Sequence, residues 1–102
     1  MIYGNSIRQW AEERNLIAGS TVQAQFVKLI EEIGELAQGM AKNDIVQIID
    51  SIGDVQVVLI ILSALYDLDN EKCLESAYET IKNRTGKTVN GIFIKDENNT
   101  ER

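Results

Sequence analysis

The apolar residues of this chain recur with the period of an α-helix over most of its length. In the second apolar segment they step by four and three, which places them on one face of a long helix: Val22, Phe26, Leu29, Ile33, Leu36 and Met40. Ser20 or Thr21 can cap the start of this helix, which reaches Lys42. Asn43 and Asp44 then separate it from the next apolar segment.

The third segment, from Ile45 to about Tyr66, is apolar on nearly every side of its predicted helix. At 100° per residue, Ile49 and Ile52 belong to one broad side, and Val58 and Leu62 belong to the remainder. A helix of this kind is central in its fold or lies at an interface between subunits. Because 102 residues offer little material to cover it, we expect a homodimer or a homotetramer.

Two shorter helices are predicted on either side of this pair. Asn5 or Ser6 can cap a first helix that reaches about Leu16. A fourth helix runs from Glu71 to about Arg84, and Gly86 stands where a C-terminal cap would lie. The predicted buried face of the fourth helix comprises Cys73, Leu74, Ala77, Tyr78 and Ile81.

Beyond Gly86 the pattern changes to that of short β-structure. Apolar residues on both sides of Asn90 and Gly91 predict a hairpin or an extended arm with a tight turn. The stretch 96–102 is wholly polar, and we expect it to be disordered. The predicted architecture is therefore all-α: one four-helix bundle over 1–95, completed by oligomerisation, with a short extended C-terminal arm.

The composition excludes several classes of site and partner. The chain has no His, so catalytic triads, Cys–His nucleophile pairs and Glu-x-x-His di-iron sites are excluded. Its one cysteine, Cys73, allows no intrachain disulfide, which favours a reducing cytoplasm. The net charge of -6 disfavours nucleic acid as a partner. We recognise no signal peptide, and the longest apolar run, Val57–Leu62, is far shorter than the roughly 20 residues of a membrane span.

The apolar third helix carries one polar stripe. Asp50 and Asp54 are one turn apart on it, and Gln47 and Ser51 complete the stripe. Two neighbouring anions on a mostly buried helix are costly unless cations or a proton neutralise them. The stripe is therefore a candidate for function.

The second helix carries a matching set of carboxylates, Glu31, Glu32 and Glu35. The short link around Asn43 predicts that the two long helices pack as an antiparallel hairpin. Counted from this link, Glu32 and Asp54 are equally distant, so the two acidic groups are predicted to meet at one level.

Carboxylates converging without His or Cys form an oxygen-only site, which selects Mg²⁺ or Mn²⁺ over zinc or copper. Such a site points to metal-assisted phosphate chemistry. Two simpler interpretations stay open. The Glu-Glu-x-x-Glu pattern is often a solvated helix face, and an Asp on an apolar helix can form a structural ion pair with Arg84 or Lys28.

The acidic motifs resemble a known family. Glu31-Glu32-Ile33-Gly34-Glu35-Leu36-Ala37, followed by Ile52-Gly53-Asp54-Val55, is similar to the pattern E-E-x-x-E, spacer, E-x-x-D of the MazG-like all-α nucleoside triphosphate pyrophosphohydrolases. The tail, Arg84-Thr85-Gly86-Lys87 continuing to Gly91-Ile92-Phe93-Ile94-Lys95, resembles the short members from phage and Gram-positive genomes. The resemblance implies Mg²⁺-dependent hydrolysis of a nucleoside triphosphate to the monophosphate and pyrophosphate, in the house-cleaning of nucleotide pools.

The resemblance also implies roles for single residues. Glu31 matches an acid that orients or deprotonates the attacking water. Lys28 and Arg84 match basic residues that approach the phosphates. The metal-binding acids of the pattern correspond to Glu32, Glu35 and Asp54.

The chain departs from the family pattern at one position. Where the pattern places a Glu three residues before Asp54, this chain has Ser51, and Asp50 stands one residue earlier. Asp50 is therefore a candidate fourth metal ligand, directly or through water. The alternative is a site that holds fewer ions and is slower or inactive.

The residues that would recognise the base are less distinct. Trp10 and Tyr78 could stack on it, although both also suit the core, and Lys82, Lys87 or Lys95 could touch phosphate. Whether the substrate is dUTP, dCTP, an oxidised nucleotide or a broader set stays open. The competing functional interpretation is a non-catalytic helical oligomerisation or binding module, in which the acids are solvated or hold a structural cation.

Overall fold

The computed structural model describes residues 2–97 as two compact units. The first unit ends at Glu71 and the second begins at Lys72. Four helices and a two-stranded antiparallel sheet follow one another along the chain: α1 (Gly4–Glu13), α2 (Val22–Lys42), α3 (Ile45–Leu65), α4 (Asn70–Ile81), β1 (Gly86–Val89) and β2 (Ile92–Lys95). The predicted all-α class is thus confirmed.

Helix α1 begins and ends earlier than its sequence pattern predicts. The N-cap is Tyr3, which makes no side-chain capping hydrogen bond, so the predicted caps at Asn5 and Ser6 are wrong. The helix ends at Glu13 rather than near Leu16, because Asn15 adopts the left-handed conformation with φ 59°.

The predicted caps of the two long helices are confirmed. The Thr21 hydroxyl accepts a hydrogen bond from the Ala24 amide at 3.0 Å, at the start of α2. At the start of α3, an Asp44 carboxylate oxygen accepts from the Gln47 amide at 3.2 Å. Asn43 lies between the helices in the left-handed conformation, with φ 55°, and this conformation reverses the chain within two residues.

The link brings α2 and α3 together as the predicted antiparallel hairpin. The Gln47 side-chain amide donates to the Glu35 carbonyl at 2.9 Å and to the Gln38 side-chain oxygen at 3.0 Å. Gly39 lies where a Cβ would come within 3.1 Å of the Gln47 side chain, so its missing side chain allows the helices to approach closely. These contacts fix the register of the hairpin and therefore the level at which the acids meet.

The core of the first unit is small and centres on α3. Ala11 of α1 and four residues of α3 make up the buried apolar set of the described chain: Val58, Ile60, Ile61 and Ala64. Many apolar side chains of the hairpin remain exposed, and Ile49 is an example at 62%. By length and hydropathy alone, α3 could also span a membrane. The core helices of soluble proteins often have the same length and hydropathy, so this is weak evidence.

The second unit contains most of α4 and the hairpin β1–β2. The helix ends at Ile81 rather than near Arg84, and its predicted apolar face is not buried within the single chain. Gly86 does not cap the helix, which ends five residues earlier; it begins β1 opposite Lys95. A Cβ at this position would collide with the Ile94 carbonyl, so the strand pairing requires glycine here.

The predicted hairpin around the Asn-Gly turn is confirmed. Asn90 has φ 51° and Gly91 has φ 81°, the positive values that a tight two-residue turn requires. At the open end, the Thr85 hydroxyl donates to the Asp96 carboxylate at 2.8 Å. Residues 98–102 of the predicted polar tail lie outside the described residues, and the predicted domain limit at residue 95 stays a prediction.

Candidate metal centre

Three carboxylates from the two long helices converge at the middle of the hairpin. Glu32 and Glu35, three residues apart, lie one helical turn apart on α2, and Asp54 reaches them from α3. One carboxylate oxygen from each lies within 4.8 Å of the other two. The prediction that Glu32 and Asp54 meet at one level is therefore confirmed.

Glu32 is the most buried member of this cluster. The residue is 5% exposed, whereas Glu35 and Asp54 remain accessible to solvent. One of its carboxylate oxygens lies 3.2 Å from the ammonium of Lys28, one turn earlier on α2. The other, Oε2, is buried and accepts no hydrogen bond from the described part of the chain. A buried carboxylate oxygen without a donor is costly unless something else satisfies it.

Partial burial and the neighbouring acids together favour the protonated form of Asp54. The pKa of Asp54 is raised above its ordinary value, mainly by burial of the carboxylate and next by the negative charge of Glu32, with Asp50 contributing further. Lys28 opposes this shift. The pKa of Lys28 is itself raised, because its ammonium is hydrogen bonded to Glu32 and attracted by it. The site therefore needs additional positive charge when all of its acids are ionised.

A hard divalent cation fits this donor set. Around an octahedral Mg²⁺ with ligands at ~2.1 Å, neighbouring oxygens lie ~3 Å apart and opposite ones ~4.2 Å apart. The separation of up to 4.8 Å in the cluster approaches that range, so small side-chain rotations bring all three acids to one ion. The unsatisfied Oε2 of Glu32 is the natural first ligand.

The family model of the MazG nucleotide pyrophosphohydrolase domain matches residues 20–89, about two thirds of the chain and the whole acidic hairpin. The chain belongs to this family. An uncharacterised 18.2 kDa protein from Haemophilus phage HP1, encoded in the rep-hol intergenic region, is 54% identical over 65 residues. That match covers 64% of this chain and 40% of the phage protein, so this chain spans less than half of its relative's length. No solved structure matches the chain.

Two predicted members of the MazG site lie outside the cluster of three. Glu31 is exposed and lies 3.6 Å from the Lys28 ammonium. Asp50 lies one turn before Asp54 and lines an open groove of about 770 Å³ beside it, together with Tyr3 of the N-terminal segment. The role of Asp50 as a metal ligand, and that of Glu31 beside the attacking water, stay predictions.

Ser51 stands at the position where the MazG pattern has Glu. It is buried, at 2% exposure. It lies one turn after Gln47, whose side chain contacts α2, so it belongs to the same side of α3. A small buried residue therefore replaces the carboxylate of the family pattern at this position.

The predicted phosphate and base contacts belong to different parts of the chain. Lys82 pairs with Glu79 in the second unit, and Arg84 follows it there. Trp10, on α1, is 44% exposed, and the guanidinium of Arg14 lies 4.6 Å from its ring centre. Neither Trp10 nor Tyr78 is buried in the single chain. The contacts of Lys82, Arg84 and Trp10 with a nucleotide stay predictions.

Gln47 is a residue whose part in the site the sequence pattern did not reveal. The sequence pattern places it on the polar stripe of α3, and in the structure its side-chain amide donates a hydrogen bond to the Glu35 carbonyl on α2. It therefore positions the backbone that carries one of the MazG acids. The available signal was a polar residue on an apolar helix, close to a turn and facing its partner helix.

Proposed function

We propose that this MazG protein is a Mg²⁺-dependent pyrophosphohydrolase that converts a nucleoside triphosphate to the monophosphate and pyrophosphate. The observation that carries the proposal is the convergence of Glu32, Glu35 and Asp54 within the matched domain. Oxygen ligands of this kind suit a metal that also binds phosphates. House-cleaning of nucleotide pools is the corresponding biological role.

In this proposal the acids of the hairpin and Lys28 have separate roles. Glu32, Glu35 and Asp54 would hold the metal, and the exposed Glu31, which lies 3.6 Å from the Lys28 ammonium, would orient the attacking water. Lys28 supplies positive charge for the phosphate chain. When bound, Mg²⁺ supplies charge neutralisation for the triphosphate and lowers the pKa of a water.

The test is pyrophosphate release from a panel of common, uracil-containing and oxidised nucleoside triphosphates. We expect release that requires Mg²⁺ or Mn²⁺ and stops when the metal is chelated. Equal amounts of monophosphate and pyrophosphate locate the cleavage between the α- and β-phosphates. A panel without any metal-dependent release would favour the non-catalytic oligomerisation module instead.

We also propose that the protein is a homodimer or homotetramer built around the α2–α3 hairpin. Apolar side chains of both helices remain exposed in the single chain, among them Phe26, Ile30, Ile45 and Val46. So many exposed large apolar side chains on two neighbouring helices indicate an interaction surface. We expect light scattering to give at least twice the chain mass, with a melting temperature that rises with protein concentration. A folded monomer at micromolar concentration would contradict this proposal.

We propose that a second copy of the chain, and not a lipid bilayer, buries the exposed apolar side chains of α3. Asp50 and Asp54 lie near the middle of this helix, where a bilayer is least tolerant of charge. The negative net charge likewise argues against nucleic acid as a partner. We therefore propose a cytoplasmic enzyme whose partners are its nucleotide substrate and further copies of itself.

A further inference from the structure

Lys28 stands at the boundary between the buried acid and solvent. Its ammonium lies 3.2 Å from Glu32 and 3.6 Å from Glu31. The Glu32 side chain is 7% exposed, whereas the Lys28 side chain is 52% exposed. The Lys28 ammonium thus contacts a buried carboxylate, while its flexible, half-exposed side chain allows the ammonium to move away.

The ion pair and a bound metal share the Glu32 carboxylate: Lys28 contacts Oε1, and the unsatisfied Oε2 is open to the metal. A metal that binds Glu32 takes over the negative charge that holds the ammonium. It also brings two positive charges close to that ammonium, and like charges at such distances repel by an energy that is appreciable near a protein surface. Occupation of the cluster therefore weakens the Lys28–Glu32 pair.

We propose that Lys28 is the counter-ion of the metal-free site, and that metal binding releases its ammonium to the phosphate chain of the nucleotide. Without metal, the ammonium lies 3.2 Å from the buried Glu32 carboxylate and compensates its negative charge. With metal, the same ammonium is free at the mouth of the cluster, next to the exposed Glu31. The second half of the proposal rests on the proposed function, whereas the first half concerns metal binding alone.

The first test measures metal affinity without turnover. Mg²⁺ is titrated by calorimetry and by its effect on the melting temperature, for the parent protein, Lys28→Met and Lys28→Arg. We expect Lys28→Met to bind Mg²⁺ about three- to tenfold more tightly, because the competing cation is gone. Lys28→Arg keeps the charge and should remain close to the parent. Lys42→Met makes the same change at the end of the same helix, away from the acids, and serves as the control.

The second test measures nucleotide binding with a triphosphate analogue whose α–β bridge resists hydrolysis. At saturating Mg²⁺, we expect Lys28→Met to bind it roughly tenfold more weakly than the parent, since a charge-assisted contact to phosphate is lost. One substitution therefore shifts the two affinities in opposite directions. A side chain that only stabilises the fold would not produce that pair of shifts.

The release can also be observed in the parent without any variant. We expect the ε-methylene NMR signal of Lys28 to shift when Mg²⁺ is added and to shift again with the analogue. An unshifted signal, or a Lys28→Met protein that binds Mg²⁺ no more tightly than the parent, overturns the counter-ion role. Unchanged analogue affinity overturns the transfer to phosphate. If the parent binds Mg²⁺ but releases no pyrophosphate from any nucleotide, the proposed function fails, and the metal titration still decides the role of Lys28.

Discussion

Replacing Asp54 with asparagine is expected to lower metal-dependent pyrophosphate release by about 100-fold or more. Asp54 is the contribution of α3 to a cluster whose other two acids come from α2. Without its charge, the metal loses the ligand that joins the two helices, and stabilisation of the reacting phosphates falls with it. The Mg²⁺-induced rise in melting temperature should disappear in the same variant.

The same substitution should make the metal-free protein more stable at neutral pH. Because the folded-state pKa of Asp54 is raised above its unfolded value, the contribution of this group to stability is present at low pH and is lost as pH rises through the raised pKa. Asparagine removes that loss. Urea unfolding in a chelator from pH 4 to 8 should show the variant's advantage growing with pH.

Asp67→Asn is a matched control for Asp54→Asn. Asp67 is exposed, lies outside the cluster and has φ 56°, a conformation that asparagine tolerates well. We expect it to keep the parent's rate and metal response. An Asp54→Asn protein that turns over at the parent's rate would rule out Asp54 as a required ligand.

Asp50 and Ser51 should show whether this protein compensates for the carboxylate that its family pattern expects. We expect Asp50→Asn to lose much of the activity at saturating Mg²⁺, by about tenfold, if Asp50 reaches the metal through water. Ser51→Glu in that background should restore part of the loss, because it returns a carboxylate to the expected position. Initial rates of pyrophosphate release measure both effects.

Because Ser51 is buried, we expect Ser51→Glu to lower the stability of the protein even where it restores activity. Since Ser51 is 2% exposed, a longer side chain must displace its neighbours, so Ser51→Glu should destabilise the metal-free protein by ~1–3 kcal/mol through overpacking. Metal should recover part of that stability. Ser51→Gln, which is similar in size and carries no charge, should be destabilised without any rescue of rate.

The outcomes separate two kinds of site. A silent Asp50→Asn would mean that three carboxylates suffice and that Asp50 serves only the adjoining groove. A Ser51→Glu single variant that is much faster than the parent would mean that the natural site is short of metal ligands. Either result contradicts compensation by Asp50.

The central hairpin could be predicted from sequence because its signals are local. Thr21 and Asp44 are strong helix caps, and Asn43 suits the left-handed link between the helices. Once the link is fixed, counting outward from it places Glu32 opposite Asp54. The ends of the outer helices are harder to predict. Asn15 ends α1 through its left-handed backbone conformation, and Gly86 belongs to a strand pair, and composition specifies neither feature.

The details of the site depended on features that periodicity does not determine. Whether Asp50 joins the cluster depends on a small roll of α3 about its axis. The burial of Ser51 depends on how other elements pack against α3, which the sequence pattern does not specify. The Lys28–Glu32 pair had the spacing of helical neighbours, yet that spacing alone does not show which partner is buried.

The compact link at Asn43 has a consequence for how the protein acquires its activity. All three clustered acids come from the single stretch 32–54, so closing one helical hairpin brings them together without help from distant parts of the chain. Loops this short are closed at little entropic cost, and contacts between near neighbours in sequence form early in folding. We therefore expect the acids to come together when the hairpin closes, and repulsion among them opposes that closure. Magnesium present during refolding should then speed the formation of the hairpin as well as stabilise the finished protein.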